Sequence, residues 1–156
     1  MTAIARLYHA TFRFDQAFTQ WGGGLLSLAL RIYLSWIFFK AGLTKVQDWD
    51  STIMLFTEEY KVPLLSPEVA AALGAGGELV LPLLLVLGLL SRPAALGLFF
   101  VNLMAVISYP QLFGFECPAA LNDHRYWGLL LLVLVVFGPG KLAIDAVLAR
   151  RAGRHG

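Results

Sequence analysis

Four long apolar runs dominate the pattern of hydrophobic and polar positions along the chain. They extend over about residues 25–43, 66–92, 93–109 and 126–137. A bilayer-spanning helix needs about 20 apolar residues, and the first three runs approach or exceed that length. The fourth run is too short, so its helix must begin earlier and draw Asp123, His124 and Arg125 towards the outer leaflet. The pattern predicts an all-α membrane protein built as a four-transmembrane-helix bundle.

Amphipathic segments lie on either side of the first run. Residues 3–21 place apolar side chains at helical spacing opposite a basic face, which predicts a helix in the membrane interface, with a poorly ordered terminus as the alternative. Residues 22–24 are three glycines and predict a hinge. Residues 44–65 contain a second apolar stripe, which predicts a short amphipathic helix capped by Asp50 or Ser51. The predicted divisions are therefore an interfacial helix at 1–24, the membrane domain at 25–145 and a basic tail at 146–156.

The composition supports a membrane protein and excludes several other classes. The 156 residues are 58% hydrophobic and 14% charged, against about 45–50% and 25% in soluble domains. A net charge of +2 with no basic patch argues against nucleic acid as a partner. The single cysteine, Cys117, excludes an internal disulfide and any CxxC motif.

The second run contains the most informative polar residue of the chain. Glu78 lies near its middle, where a charge costs about 2.5–3.5 kcal/mol, so this carboxylate needs a partner within the protein. Pro82 frees the backbone carbonyl four residues before it, which is that of Glu78. Gly74 and Gly77 allow another helix to approach closely. This run is expected to form the centre of any site.

The first run contains two cations on opposite faces. Arg31 and Lys40 are nine positions apart, which is about 180° around a helix. Arg31 shares a stripe with Ser35, Phe38, Gly42 and Lys45, and we expect this stripe to face the bundle. Lys40 is then expected to extend to the interface as an anchor.

Counting depth along the first and second runs places Arg31 within reach of Glu78. Asn102 of the third run is expected to join this pair as a third polar residue. Such a group is either a structural ion pair or a site that relays protons or binds a quinone head group, since acids inside a membrane often mark such paths. Asn102 by itself is typical of a hydrogen bond between helices. Both interpretations of the Arg31–Glu78 pair stay open on the sequence.

A second group of candidates lies at the outer end of the chain's fold. Cys117, Asp123 and His124 come close together in the sequence, and Lys45 ends the first run. A histidine beside a carboxylate can titrate near neutrality or bind a metal. One histidine and one cysteine do not complete a tetrahedral site, so no metal ligand set is predicted.

Several motifs in these runs resemble those of the DoxX family. Arg31 followed by F-x-x-x-G-x-x-K at residues 38–45 resembles its first-span signature. Glu78 followed by G-L-x-[ST]-R-x-A-A at residues 88–95 resembles its second. Three further motifs are similar to the HvfX-like branch: T-x-x-L-F-x-x-E-Y-x-V-P at 52–63, H-x-x-W-G at 124–128 and G-P-G-K at 138–141.

The resemblance implies a four-helix protein of the bacterial inner membrane. DoxX relatives are similar to subunits of thiosulfate:quinone oxidoreductase and of a membrane complex for oxidative and thiol stress. The resemblance thus suggests a redox-linked subunit of a larger complex, with quinone as the candidate cofactor. HvfX-like proteins resemble partners of machinery for copper-binding modified peptides, so the alternative is a non-enzymatic membrane partner or exporter in a metal-stress system. The expected contacts are lipid and partner proteins, with a homo-oligomer left open.

The distribution of lysine and arginine predicts the orientation. One side of the bundle collects most of the basic residues: Arg6, Arg13, Arg92, Lys141, Arg150, Arg151 and Arg154. By the positive-inside rule that side is cytoplasmic, so both termini are cytoplasmic in this multi-pass protein.

This orientation predicts that Cys117 lies on the outer side. A membrane-impermeant thiol reagent should label it from outside the membrane and not from the cytoplasmic side. Because the chain has one cysteine, Cys117→Ser should remove all labelling and serves as the control. Labelling from the cytoplasmic side alone would contradict the orientation.

Overall fold

The computed structural model describes residues 3–114 and 118–153, with side chains from residue 21 onward. This part of the chain is helical and contains no strand. Its α-helices are α1 Ala3–Gln47, α2 Trp49–Glu58, α3 Pro67–Leu87, α4 Ser91–Ser108, α5 Ala119–Phe137 and α6 Ile144–Ala152. A short 3-10 helix at Pro110–Phe113 follows α4.

Four of these helical segments are long and apolar enough to cross a membrane. They are Trp21–Gln47, Pro67–Leu87, Ser91–Ser108 and Ala119–Phe137. The predicted all-α membrane bundle is therefore confirmed. Since α5 begins at Ala119, Asp123, His124 and Arg125 lie inside the helix, as the short fourth run required.

The hinge predicted at residues 22–24 is wrong, because α1 continues through the three glycines. Gly24 packs against the loop after α5, where the residue that must be glycine is Gly140: a Cβ added to Gly140 would lie 2.9 Å from the Cα of Gly24. A glycine inside a helix costs about 0.5–1 kcal/mol relative to alanine, so the three glycines weaken α1 locally without ending it. The interfacial location of residues 3–21 stays a prediction.

The cap predicted for α2 is wrong. The cap is Asp48, whose side chain accepts a hydrogen bond from Ser51 N at 3.1 Å, and not Asp50 or Ser51. Asp48 was missed because three residues that can cap a helix, Asp48, Asp50 and Ser51, lie within four positions. At α3 the cap is Ser66, followed by Pro67 in the first turn.

The core lies where α1, α3, α4 and α5 meet. Its fully buried side chains include Leu34, Leu85, Leu98 and Leu131. Apolar side chains on the outer faces of the same helices are exposed, as a lipid-facing surface requires. They include Trp36, Leu83, Phe100 and Leu129. The bundle is thus apolar on both its inside and its outside, with few polar groups between.

Arg31 is fully buried near the end of the bundle where α3 ends and α4 begins. Its Nη1 donates to the backbone oxygens of Val86 at 3.2 Å and Leu85 at 3.5 Å, and its Nη2 donates to the backbone oxygen of Leu142. The first two oxygens end α3, where helix carbonyls lack partners and carry partial negative charge. Arg31 therefore closes the end of α3 and ties the chain after α5 to it.

Asp145 of α6 completes the contacts at this end of the bundle. Its carboxylate accepts hydrogen bonds from Leu90 N and Ser91 N, each at 2.9 Å, and from Ser91 Oγ at 2.8 Å. These groups begin α4, so a residue distant in sequence acts as its cap. Burial acts to raise the pKa of the Asp145 carboxyl, but the hydrogen bonds from Ser91 and Leu90 and the charge of Arg31 outweigh it and hold that pKa below its ordinary value.

We expect Asp145→Asn to lower the free energy of unfolding by about 1.5–3 kcal/mol at pH 7, the range for a hydrogen bond to a charged group. A carboxyl whose pKa is lowered by folding stabilises the fold above its unfolded pKa and loses that effect as the pH falls through the folded one. The difference from wild type should therefore shrink below pH of about 4. Thermal unfolding in mild detergent measures it, with the exposed Asp50→Asn as control. A difference that persists unchanged at pH 3 would contradict this account.

Candidate functional site

The buried acid of α3 is paired with a lysine of α1. Lys45 Nζ donates to Glu78 Oε2 at 2.6 Å, a short charge-assisted bond. Glu78 is 7% exposed, and the side chain of Lys45 is 18% exposed. This pair, rather than Arg31 with Glu78, is the ion pair between α1 and α3.

A close approach of the two helices brings the pair together. A Cβ added to Gly42 would lie 2.9 Å from the Cβ of Glu78 and 3.0 Å from its carbonyl carbon. Real Cβ atoms essentially never come so near, so α1 and α3 can pack at this distance only with glycine at position 42. Lys45 lies three residues further along the same face of α1, from where its side chain reaches the carboxylate.

The predicted Arg31–Glu78 pair is wrong because the depth count assumed a register between α1 and α3 that differs from the one set by the contact of Gly42 with Glu78. Arg31 is eleven positions from Gly42, about 16 Å along the helix. The first span extends beyond the sequence estimate at both ends, from Trp21 to Gln47, so its length did not reveal this register. The observed antiparallel register places Arg31 beside Leu85 and Val86, and it pairs Glu78 with Lys45.

The predicted stripe itself is confirmed. Arg31, Ser35, Phe38 and Gly42 are buried, while Lys40 is exposed. Ser35 Oγ donates to the backbone oxygen of the buried Pro82 at 2.9 Å, midway between the two charged contacts.

An apolar cavity of about 280 Å³ adjoins the ion pair between α3, α4 and the segment around α2. We call it the apolar cavity. Its polar lining consists of Lys45, Glu78, Tyr60 and Ser108, and the rest is aliphatic or aromatic. Lining it are also Phe56, Val62, Leu65, Ala70, Leu73, Gly74, Phe100, Val101, Met104 and Ala105. Leu73 and Phe100 are 61% and 57% exposed, so this cavity reaches the lipid-facing surface.

A second cavity of about 430 Å³ lies on the other side of the ion pair, between α1, α4 and α5. We call it the outer cavity, after the side of the membrane that the sequence predicts for this end of the bundle. Lys45, Glu78 and Tyr60 line both cavities. The outer cavity is more polar, and its lining adds Lys40, Thr44, Asn102, Tyr109 and His124. The Lys45–Glu78 pair thus lines both the apolar cavity and the more polar outer cavity.

Asn102 and His124 form a double hydrogen bond between α4 and α5. Asn102 Nδ2 donates to the backbone oxygen of His124 at 2.9 Å, and Asn102 Oδ1 lies 2.8 Å from His124 Nδ1. Because a carbonyl only accepts, the first bond fixes the amide orientation and leaves Oδ1 as an acceptor. Asn102 therefore links two helices, as predicted, and shares the outer cavity with Glu78 without joining Arg31.

Tyr60 lies between the two cavities, in the connection after α2. Burial raises the pKa of its hydroxyl, and the charges of Glu78, Tyr109 and Glu59 raise it further. Tyr60 is therefore a neutral hydroxyl donor near the carboxylate. Tyr60 lies in the segment of residues 44–65, for which the sequence predicted only a short amphipathic helix and no part in the site. Ser108 was also missed, since nothing distinguishes it from other serines at helix ends.

The remaining candidates contribute less to this site. Asp123 is exposed on α5, and Cys117 lies outside the described residues. The described part of the chain holds no group of three or more residues able to bind a metal ion. A Cβ on Gly77 would meet Val101 at 3.2 Å, so Gly77 does allow close packing against α4. A Cβ added to Gly74 would make an ordinary van der Waals contact with Phe56 at 3.6 Å, so close packing does not require glycine at position 74.

Comparison with known proteins agrees with the motifs. The family model named DoxX matches residues 26–111, more than half of the chain and a range that holds Arg31, Gly42, Lys45 and Glu78. An uncharacterized protein of Haemophilus influenzae is 31% identical over 134 residues, which cover 83% of this chain and 87% of that protein. No solved structure matches the chain.

The pairing predicts a specific result in double-mutant cycles. Glu78→Gln and Lys45→Met should each lower the free energy of unfolding, because each leaves a buried charge without its partner. The double variant should lose less than the sum, with a coupling of about 0.5–3 kcal/mol. The matched control combines Glu78→Gln with Arg31→Met, and these two losses should add. Coupling to Arg31 but not to Lys45 would contradict the pairing.

Proposed function

The chain belongs to the DoxX family, and on that premise we propose that it is a redox-linked subunit of a bacterial inner-membrane complex that binds a quinone head group in the apolar cavity. One observation carries the proposal. The apolar cavity reaches the lipid-facing surface and has the Lys45–Glu78 ion pair in its wall. Intramembrane charged pairs beside a cavity often mark the path of a substrate or a proton.

The size and lining of the cavity suit a ring with an apolar tail. Ligand pockets measure about 300–1,000 Å³, so about 280 Å³ suits a head group better than a whole lipid-soluble molecule. Phe56 and Tyr60 offer aromatic surface to the ring. The exposed Leu73 and Phe100 mark the side on which a tail would continue into the bilayer.

The polar groups of the cavity suit the two oxygens of a quinone. Lys45 has three hydrogens on Nζ, and one of them is donated to Glu78. Ser108 is 2% exposed, and its hydroxyl has no hydrogen-bond partner among the described residues. A buried hydroxyl without a partner costs about 1–3 kcal/mol, and a bound carbonyl oxygen would remove that cost. Lys45 and Ser108 are therefore the proposed donors to the quinone oxygens.

Glu78 is the proposed proton-exchanging group. A quinone supplies two-electron chemistry and takes up two protons on reduction. The carboxylate of Glu78 can accept a hydrogen bond from a hydroxyl and can hold a proton in transit, while Lys45 keeps it charged between these events. We assign the electron donor to the thiol class, in line with the resemblance to thiol-stress complexes, because two thiols forming a disulfide release two electrons and two protons.

We expect the protein purified in mild detergent to retain quinone, measured by solvent extraction and mass spectrometry per mole of protein. Lys45→Met and Glu78→Gln should each lower retention about tenfold or more, a loss of about 1.4 kcal/mol in binding. Glu68→Gln in the exposed first turn of α3 is the matched control and should retain it.

The same preparation distinguishes the alternative. Wild-type protein that neither retains quinone nor binds added quinone would overturn the proposal. If a protein partner or a copper-binding peptide copurifies instead of quinone, the result favours the alternative function, that of a non-enzymatic membrane partner or exporter. Circular dichroism and size-exclusion chromatography check that each variant is folded.

A further inference from the structure

The proposed quinone site leaves the outer cavity without a role. Its volume of about 430 Å³ is large enough for about 14 waters, at about 30 Å³ each. Glu78 and Lys45 line one part of it, and Asn102 and His124 line another. Such a space has both the room and the polar partners that water needs.

The hydrogen bonds of His124 determine which ring nitrogen can exchange a proton. Asn102 Oδ1 can only accept, so the His124 Nδ1 beside it carries hydrogen. In the neutral ring Nε2 then holds a lone pair. The ring is also held edge-on to Trp127, with centroids 5.0 Å apart. His124 is thus oriented by its neighbours and keeps one nitrogen able to gain and release a proton.

We propose that the outer cavity is a hydrated proton route between Glu78 and the water at the outer end of the bundle, with His124 as its relay. Nε2 takes a proton from water on one side and returns it to a cavity water on the other, and the Glu78 carboxylate accepts it. Nδ1 stays bonded to Asn102 throughout. The route rests on the proposed function in one respect, since a quinone site enclosed by apolar side chains needs a source of protons.

Charged and titratable groups from every neighbouring element face this route. Lys40 and Lys45 belong to α1, and both disfavour additional positive charge in the cavity. Tyr60 and Tyr109 line it from the connections that follow α2 and α4. Asp123, next to His124 on α5, favours a transient positive charge on the ring. His124 therefore lies between opposing charges, which suits a group that gains a proton and loses it again.

The first experiment tests hydration without any quinone. In a Cys117→Ser background, Ala41→Cys places a thiol in the lining of the outer cavity, and Leu43→Cys places one on the exposed apolar face two residues away. An anionic, membrane-impermeant methanethiosulfonate reagent, whose charge suits a cavity lined by Lys40 and Lys45, should modify Ala41→Cys at least about tenfold faster, because thiolate forms only in contact with water. Equal rates would overturn the hydrated route.

The second experiment tests the relay on protein freed of quinone. Infrared difference spectroscopy after a pH jump follows protonation of the Glu78 carboxylate, identified as the band that Glu78→Gln lacks. His124→Leu should slow this protonation about tenfold, and so should His124→Gln, which keeps a hydrogen-bonding side chain. Tyr126→Phe, on the exposed face of α5, should leave the rate unchanged. A normal rate in both His124 variants would overturn the relay, whatever the result of the quinone assay.

Discussion

The structure depends on the contact between α1 and α3 at Gly42. The backbone of α1 packs directly on Glu78, and no larger residue fits at that point. This contact removes the carboxylate from lipid and brings Lys45 within 2.6 Å of it. A charge at this depth would otherwise cost several kcal/mol. The two cavities also depend on the contact, because the ion pair it creates forms part of the wall of each.

The two buried cations of α1 are stabilised in different ways. Lys45 bonds a carboxylate and stays close to open space, so its remaining hydrogens are available for chemistry. Arg31 bonds backbone oxygens at the end of α3 and in the chain after α5, and it lines neither cavity. Its planar group with several donors suits carbonyls that point in different directions. Arg31 thus stabilises the fold, whereas the proposed chemistry takes place at Lys45, in the last turn of α1.

The sequence predicted the helices and the stripe on α1 because both follow from periodicity, which is a local property. It predicted that Glu78 needs a partner but chose Arg31 over Lys45, because the register between two helices depends on their ends, and apolar runs mark these ends only to within several residues. Gly42 was placed on the correct face, although its role against Glu78 needed the packed pair. The Asn102–His124 bond joins α4 to α5, and no spacing along the chain encodes it.

The register between α1 and α3 restricts how this bundle can move. Arg31, Ser35 and Lys45 each bond α3 or its side chains, at successive levels along the pair. A slide by one turn would break all three bonds together, so these bonds oppose movement of α1 along α3. Thr52 Oγ1 donates to the backbone oxygen of Lys45 at 3.0 Å, and Phe56 packs on Ala70 and Ala71, so α2 is attached to the same pair of helices. The register of one helix pair therefore sets the spacing of three walls of the apolar cavity, and a larger residue at position 42 would change the shape of a cavity that Gly42 itself does not line.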